Sequence, residues 1–166
     1  KLIEENDLDV KKVYTRNFLE DSFKYKVDSI KDILSMGYKK VILIGDDTSK
    51  DAKVYDEIKK LFPQQVLCIY IHRVKDNTLP QSARPYFTVY DIALNEVLAG
   101  RMSPSQAYGL GESFLTKNLS KVFPGFVLCP RAFSPTQFPK VEGLVELTSR
   151  VKEKIVQYCR KAPLID

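Results

Sequence analysis

The sequence predicts an α/β fold, a three-layer, Rossmann-like parallel sheet, and three observations carry that reading. Val41-Ile42-Leu43-Ile44-Gly45 is a short apolar, β-branched run ended by glycine, the pattern of a strand buried on both faces. Val66-Leu67-Cys68-Ile69-Tyr70-Ile71 is a second such run. Between them Val54, Tyr55, Ile58, Leu61 and Phe62 recur at helical spacing and stop before Pro63. Strand, helix and strand in that order form a βαβ unit, whose two strands should be parallel.

The helix of this unit is expected to open at Thr48, with Asp51 three positions on completing a capping box. Upstream, Ile30, Ile33 and Leu34 mark a helix ending near Gly37. Downstream, Phe87 ends an extended stretch, and Thr88 with Asp91 opens a helix through Leu98. Ser103-Pro104 places an N-cap before a proline at the first helical position and opens a helix to about Lys117. Residues 124–139 carry Pro124, Pro130, Pro135 and Pro139 and should be rich in loops. Val141 to Cys159 reads as a long amphipathic helix with Leu144, Leu147, Val151 and Ile155 on one face.

A length of 166 residues suits one domain, and a hydrophobic content of 44% is too high for a disordered chain. No apolar run is long enough to span a bilayer as a helix. The first residue is Lys, and no signal-peptide layout follows it. The net charge of +5 is compatible with anionic partners, although the lysines are scattered as on an ordinary solvated surface. Cys68, Cys129 and Cys159 make no CxxC pair, and the chain has one His, which argues against zinc. Cys68 and Cys129 sit in apolar runs and are expected to be core thiols of a reducing compartment.

Ligands of open α/β sheets sit at the carboxyl ends of the strands. There the first run continues as Gly45-Asp46-Asp47-Thr48-Ser49-Lys50-Asp51, three carboxylates within a few residues. Mg²⁺ takes oxygen ligands and commonly one or two protein carboxylates, which makes Asp46 and Asp51, with Asp47 as a third candidate, a metal-ligating set. The same residues also suit structural work, with Asp51 capping a helix and Asp46 receiving loop amides.

Val41 to Val74, VILIGDDTSKDAKVYDEIKKLFPQQVLCIYIHRV, resembles without a gap the catalytic domain of the actin-patch-associated phosphatidate phosphatases. These are phosphatases of haloacid-dehalogenase type. The similarity includes Tyr55, Phe62-Pro63 and Ile69-Tyr70-Ile71. Lys26-Val27-Asp28-Ser29-Ile30 resembles the segment that carries the family's phosphoryl-neutralising lysine, with Tyr25 where His is usual. Val13 to Phe18 is weakly similar to a further segment, so the resemblance covers roughly residues 1–100. It implies that Lys26 is catalytic and binds phosphate, that Asp46 and Asp51 hold Mg²⁺, and that the substrate is a phospholipid or another phosphomonoester. Asp47-Thr48 replaces the family's Ser-Gly, and His72 replaces Arg and reads as a strand-end residue.

The family attacks phosphorus with the first Asp of a D-x-D-x-T/V motif on a buried strand. Here the literal match, Asp7-Leu8-Asp9-Val10, follows the polar Ile3-Glu4-Glu5-Asn6. The nucleophile is therefore expected in an N-terminal segment before residue 1 or on a separate chain. The sheet in this chain would then be incomplete, with an exposed strand edge. Residues 1–120 read as the C-terminal part of the phosphatase-like domain, and residues 121–166 as a Pro-rich loop and helix packing on it. Two functions compete. One is a Mg²⁺-dependent lipid-phosphate phosphatase, turning phosphatidate into diacylglycerol, with this segment alone inactive. The other is a degraded scaffold serving as an interaction module. The resemblance implies no nucleic-acid partner and a cytoplasmic or peripheral membrane setting, with secretion of the parent left open.

Overall fold

In the computed structural model, residues 10, 12–15, 17, 21–131 and 140–161 are described. Asp7 and Asp9, the segment around Arg16 and Phe18, and the prolines at 135 and 139 lie outside the described residues. The elements run α1 (Ser22–Ser35), β1 (Val41–Asp46), α2 (Asp51–Leu61), β2 (Val66–His72), β3 (Ala83–Tyr86), α3 (Val89–Leu98), α4 (Pro104–Thr116), α5 (Leu119–Val122) and α6 (Leu144–Lys161). The strands form a parallel sheet in the order β1-β2-β3, with Ile44 opposite Tyr70 and Asp46 opposite His72.

Strand alternation sorts the side chains into two layers. Leu43, Ile69 and Ile71 pack with Val27 and Leu34 of α1 and Val54 and Ile58 of α2. On the opposite face, the Tyr70 hydroxyl donates to the Glu96 carboxylate of α3 at 2.6 Å. Helices therefore flank the sheet on both sides. A second core joins Tyr90 and Leu94 of α3, Ala107 and Phe114 of α4, and Leu144, Leu147, Val151 and Ile155 of α6. None of the helices among the described residues is long and apolar enough to cross a membrane.

Local chemistry explains most boundaries. Asp21 caps α1 by accepting the Lys24 amide at 2.8 Å, and Ser103 caps α4 by accepting the Gln106 amide at 3.2 Å. Asp91 accepts the Thr88 amide at 2.8 Å, completing the capping box of α3.

Four expectations need correction. β1 is not buried on both faces: Ile42 and Ile44, on the Tyr70 side, are 37% and 51% exposed. Among the described residues β1 pairs only with β2, and α3 covers the sheet further across. The capping box at Thr48 does not form, because α2 opens two residues later, with Lys50 at the N-cap position. Cys129 is not a thiol; it is bonded to Cys159 at an S–S distance of 2.02 Å. Cys68 is the buried free thiol. The C-terminal helix begins at Leu144, not Val141, after a turn in which Gly143 takes a φ of 77°.

Candidate active site

The loop from Gly45 to Asp51 sits where β1 ends and α2 begins, and the structure separates its three carboxylates. Asp51 lies in the first turn of α2 and faces α1. It forms a short ion pair with the Lys26 ammonium of α1, and its Oδ2 accepts the Asp46 amide at 3.3 Å. Lys26 also donates to Ser49 Oγ at 3.4 Å. Two positions 25 residues apart in sequence, on different elements, are thus joined at one rim of the sheet.

Gly45 permits this approach. A Cβ there would stand 2.6 Å from Asp51 Oδ2 and 2.7 Å from Asp51 Cβ. The Tyr55 ring would lie 2.8 Å away.

Asp46 Oδ1 accepts both the Thr48 amide, at 2.8 Å, and the Thr48 hydroxyl. Burial pushes its carboxyl up, but the Thr48 hydroxyl and amide, the Ser49 amide and the Lys26 charge together hold it below the usual carboxylate range. Asp46 is therefore charged at neutral pH.

Asp47 faces the other way. Its Oδ1 accepts the amides of Val74 and Lys75 at 2.9 and 2.8 Å, and its Oδ2 lies 3.3 Å from Arg73 Nη1. Arg73 also pairs with Asp76. The Asp47 side chain buckles the loop after β1 to the loop after β2.

Further groups gather at this end of the sheet that residue spacing alone did not single out as site residues. Tyr55, one helical turn after Asp51, donates its hydroxyl to the Ile44 carbonyl at 3.1 Å. Burial, then the charges of Asp51 and Asp46, push its phenol well above the ordinary value. The His72 ring stacks on Tyr86 at 5.1 Å, and its Nε2 lies 3.2 Å from the Phe87 carbonyl. A cleft of about 390 Å³ lined by Tyr25, Lys26, Ser29, Ile30, Asp51 and Tyr55 opens beside the ion pair.

Among the described residues, no group of three or more His, Cys, Asp or Glu side chains is arranged to hold a metal. Mg²⁺ does not demand one, since it keeps waters and takes one or two carboxylates beside phosphate oxygens. The donor set fits that role: Asp46 is charged and half-buried at the rim, and Asp51 stands beside it, paired with Lys26.

The fold and rim define the class as an α/β domain with an acidic loop and a lysine converging at the carboxyl end of a parallel strand. Comparison narrows it. Residues 3–73 match the family described as "Phosphatidate phosphatase APP1, catalytic domain". An uncharacterised protein of Schizosaccharomyces pombe is 30% identical over 89 residues, which cover 44% of this chain and 15% of that protein. The chain thus spans a small part of the length of this relative. No solved structure matches the chain significantly.

Proposed function

We propose that this segment supplies half of the catalytic site of a Mg²⁺-dependent phosphatase of haloacid-dehalogenase type. Its substrate is a lipid phosphate, with phosphatidate turned into diacylglycerol. The observation that carries the reading is the Lys26–Asp51 pair beside the charged Asp46, within the stretch that matches the phosphatidate phosphatase family. Phosphoryl transfer depends mostly on positioning and on neutralising charge. Lys26, beside Asp51, is the cation that would neutralise a phosphoryl oxygen brought to this rim. Asp46, held in place by Thr48, and Asp51, held by the Asp46 amide, are the residues that would hold Mg²⁺. Bound there, the cation neutralises charge on the phosphate oxygens. The attacking carboxylate of aspartyl-phosphate chemistry would come from outside this segment, on an N-terminal part of the same protein or on a separate chain.

A second reading has its own observation. Asp51 is paired with Lys26, and Asp47 accepts two amides and faces Arg73, so the loop also does structural work. A non-catalytic interaction module would keep it in that form.

Phosphate release from phosphatidate separates the two. The full-length parent should turn over in Mg²⁺ and stop on chelation, and the 166-residue chain should be silent. A parent inactive in Mg²⁺ favours the interaction module. Chelator-sensitive turnover by the chain alone returns the nucleophile to Asp7 or Asp9.

A further inference from the structure

We propose that Phe126 is an interfacial anchor that seats the carboxyl-end rim of this protein on a bilayer containing anionic lipid. The inference rests on the lipid-phosphate reading and adds to it the surface that meets the membrane.

The two most exposed large apolar side chains among the described residues are Phe126, at 72%, and Val89, at 63%. Val89 is the first residue of α3, just after the end of β3, and Phe126 follows α5. Phe126 tips a reverse turn closed by the Val127 amide donating to the Pro124 carbonyl at 2.8 Å. The next amide, of Leu128, donates to the Val74 carbonyl at 2.8 Å. Val74 in turn donates its own amide to Asp47, the neighbour of Asp46. Two hydrogen bonds, Leu128 to Val74 and Val74 to Asp47, therefore connect the Phe126 turn to the loop that carries the candidate site.

The turn is braced from below. Phe123 and Val127, on either side of Phe126, are buried in the helical core, and Cys129 is bonded to Cys159 of α6. A tip so held loses little freedom when it inserts, which favours binding. Phe is a residue that enters the headgroup boundary from a surface of this kind.

Charge points to the same occupant. Residues 1–100 carry 16 Lys/Arg and 16 Asp/Glu, whereas residues 101–166 carry 10 and 5. All of the net charge of +5 therefore lies in the part of the chain that holds the Phe126 turn. Exposed Lys75 follows Val74, and exposed Lys121 precedes the turn. The nearby Asp76 is taken by Arg73. Basic residues beside an apolar tip suit anionic headgroups.

The chain contains no Trp, so Phe126→Trp installs a single fluorescent reporter at the tip. We would titrate this variant of the 166-residue chain with vesicles of phosphatidylcholine plus phosphatidylserine, and with phosphatidylcholine alone. The expected result is a blue-shifted, brighter emission with the anionic vesicles, quenched by brominated acyl chains and weakened by salt. Phe126→Ala should lower co-sedimentation about tenfold, and Phe126→Trp should retain it. Three results would overturn the proposal: no co-sedimentation, co-sedimentation with unshifted emission, or a shift that tracks protein concentration without lipid, which marks a second copy as the partner. Phosphatidylserine is a diester and is not a substrate, so the vesicle result stands or falls apart from the hydrolysis assay.

Discussion

Lys26 and Asp51 form an ion pair between the first turns of α1 and the opening of α2, with the Asp51 side chain 12% exposed and that of Lys26 34% exposed. The pair docks a helix that precedes β1 against the loop that follows it. A nearly buried carboxylate is thereby given a cationic partner at the place where the sheet presents ligands.

The closeness of Asp51 makes Gly45 intolerant of a side chain. Gly45→Ala places a Cβ within 2.7 Å of Asp51 Cβ and 2.8 Å of the Tyr55 ring. Overpacking of this kind costs about 1–3 kcal/mol. Urea unfolding should show a lower midpoint with an unchanged slope. An unchanged midpoint would mean that the loop relaxes freely, contrary to the close packing described here.

Asp91 gives a pH signature. Burial raises its carboxyl to about 6, against the pull of the Thr88 and Phe87 amides. A raised folded value means that the contribution is fully present below the unfolded value of 3.8 and is lost as pH rises through about 6. Its size is on the order of 2 kcal/mol. Stability of the wild type relative to Asp91→Asn should therefore fall between about pH 4 and pH 6. The subtraction removes groups such as Glu96, which Arg101 holds below its ordinary value and which acts in the opposite sense. A difference that is flat across this window contradicts the burial of Asp91.

The disulfide makes a countable claim. Of three cysteines, only Cys68 is free. Thiol titration of the unfolded, unreduced protein should find one thiol, and three after reduction. Closing a loop of this length contributes about 3–4 kcal/mol, so reduction should lower the unfolding midpoint. Three thiols before reduction would contradict the bond. Disulfides persist chiefly in oxidising compartments, which bears on where the parent resides.

Sequence and structure agree where apolar runs are bounded by strong punctuation. β1, α2 and β2 were legible because Gly45 and Pro63 delimit them and their periodicities differ. β3 was legible only as an extended stretch, since Ala83–Tyr86 contains Arg84 and Pro85 and alternates poorly. The short α5 was missed for want of length. At Thr48 the capping pattern misled because the Asp46 carboxylate takes the hydroxyl. The Cys129–Cys159 bond was not legible, since pairing is a matter of distance in the fold, not of spacing along the chain. Lys26 entered through a family resemblance, and the structure adds its partner Asp51. The turn of Asp47 away from Asp46 and Asp51 depends on amides of the loop after β2, which no local pattern announces.

The most direct test compares Lys26→Met, Asp46→Asn and Asp47→Asn in the full-length parent, measuring kcat for phosphate release from phosphatidate over a range of Mg²⁺. Lys26→Met should lower kcat by about two orders of magnitude or more, since a positioned charge on a transferring phosphoryl group is worth that much. Asp46→Asn should require more Mg²⁺. Asp47→Asn should lower stability, because its carboxylate is buried against Arg73, and leave the Mg²⁺ requirement of the folded enzyme unchanged. Turnover that is indifferent to Lys26 and Asp46 would contradict the assignment of this rim as half of a phosphatase site.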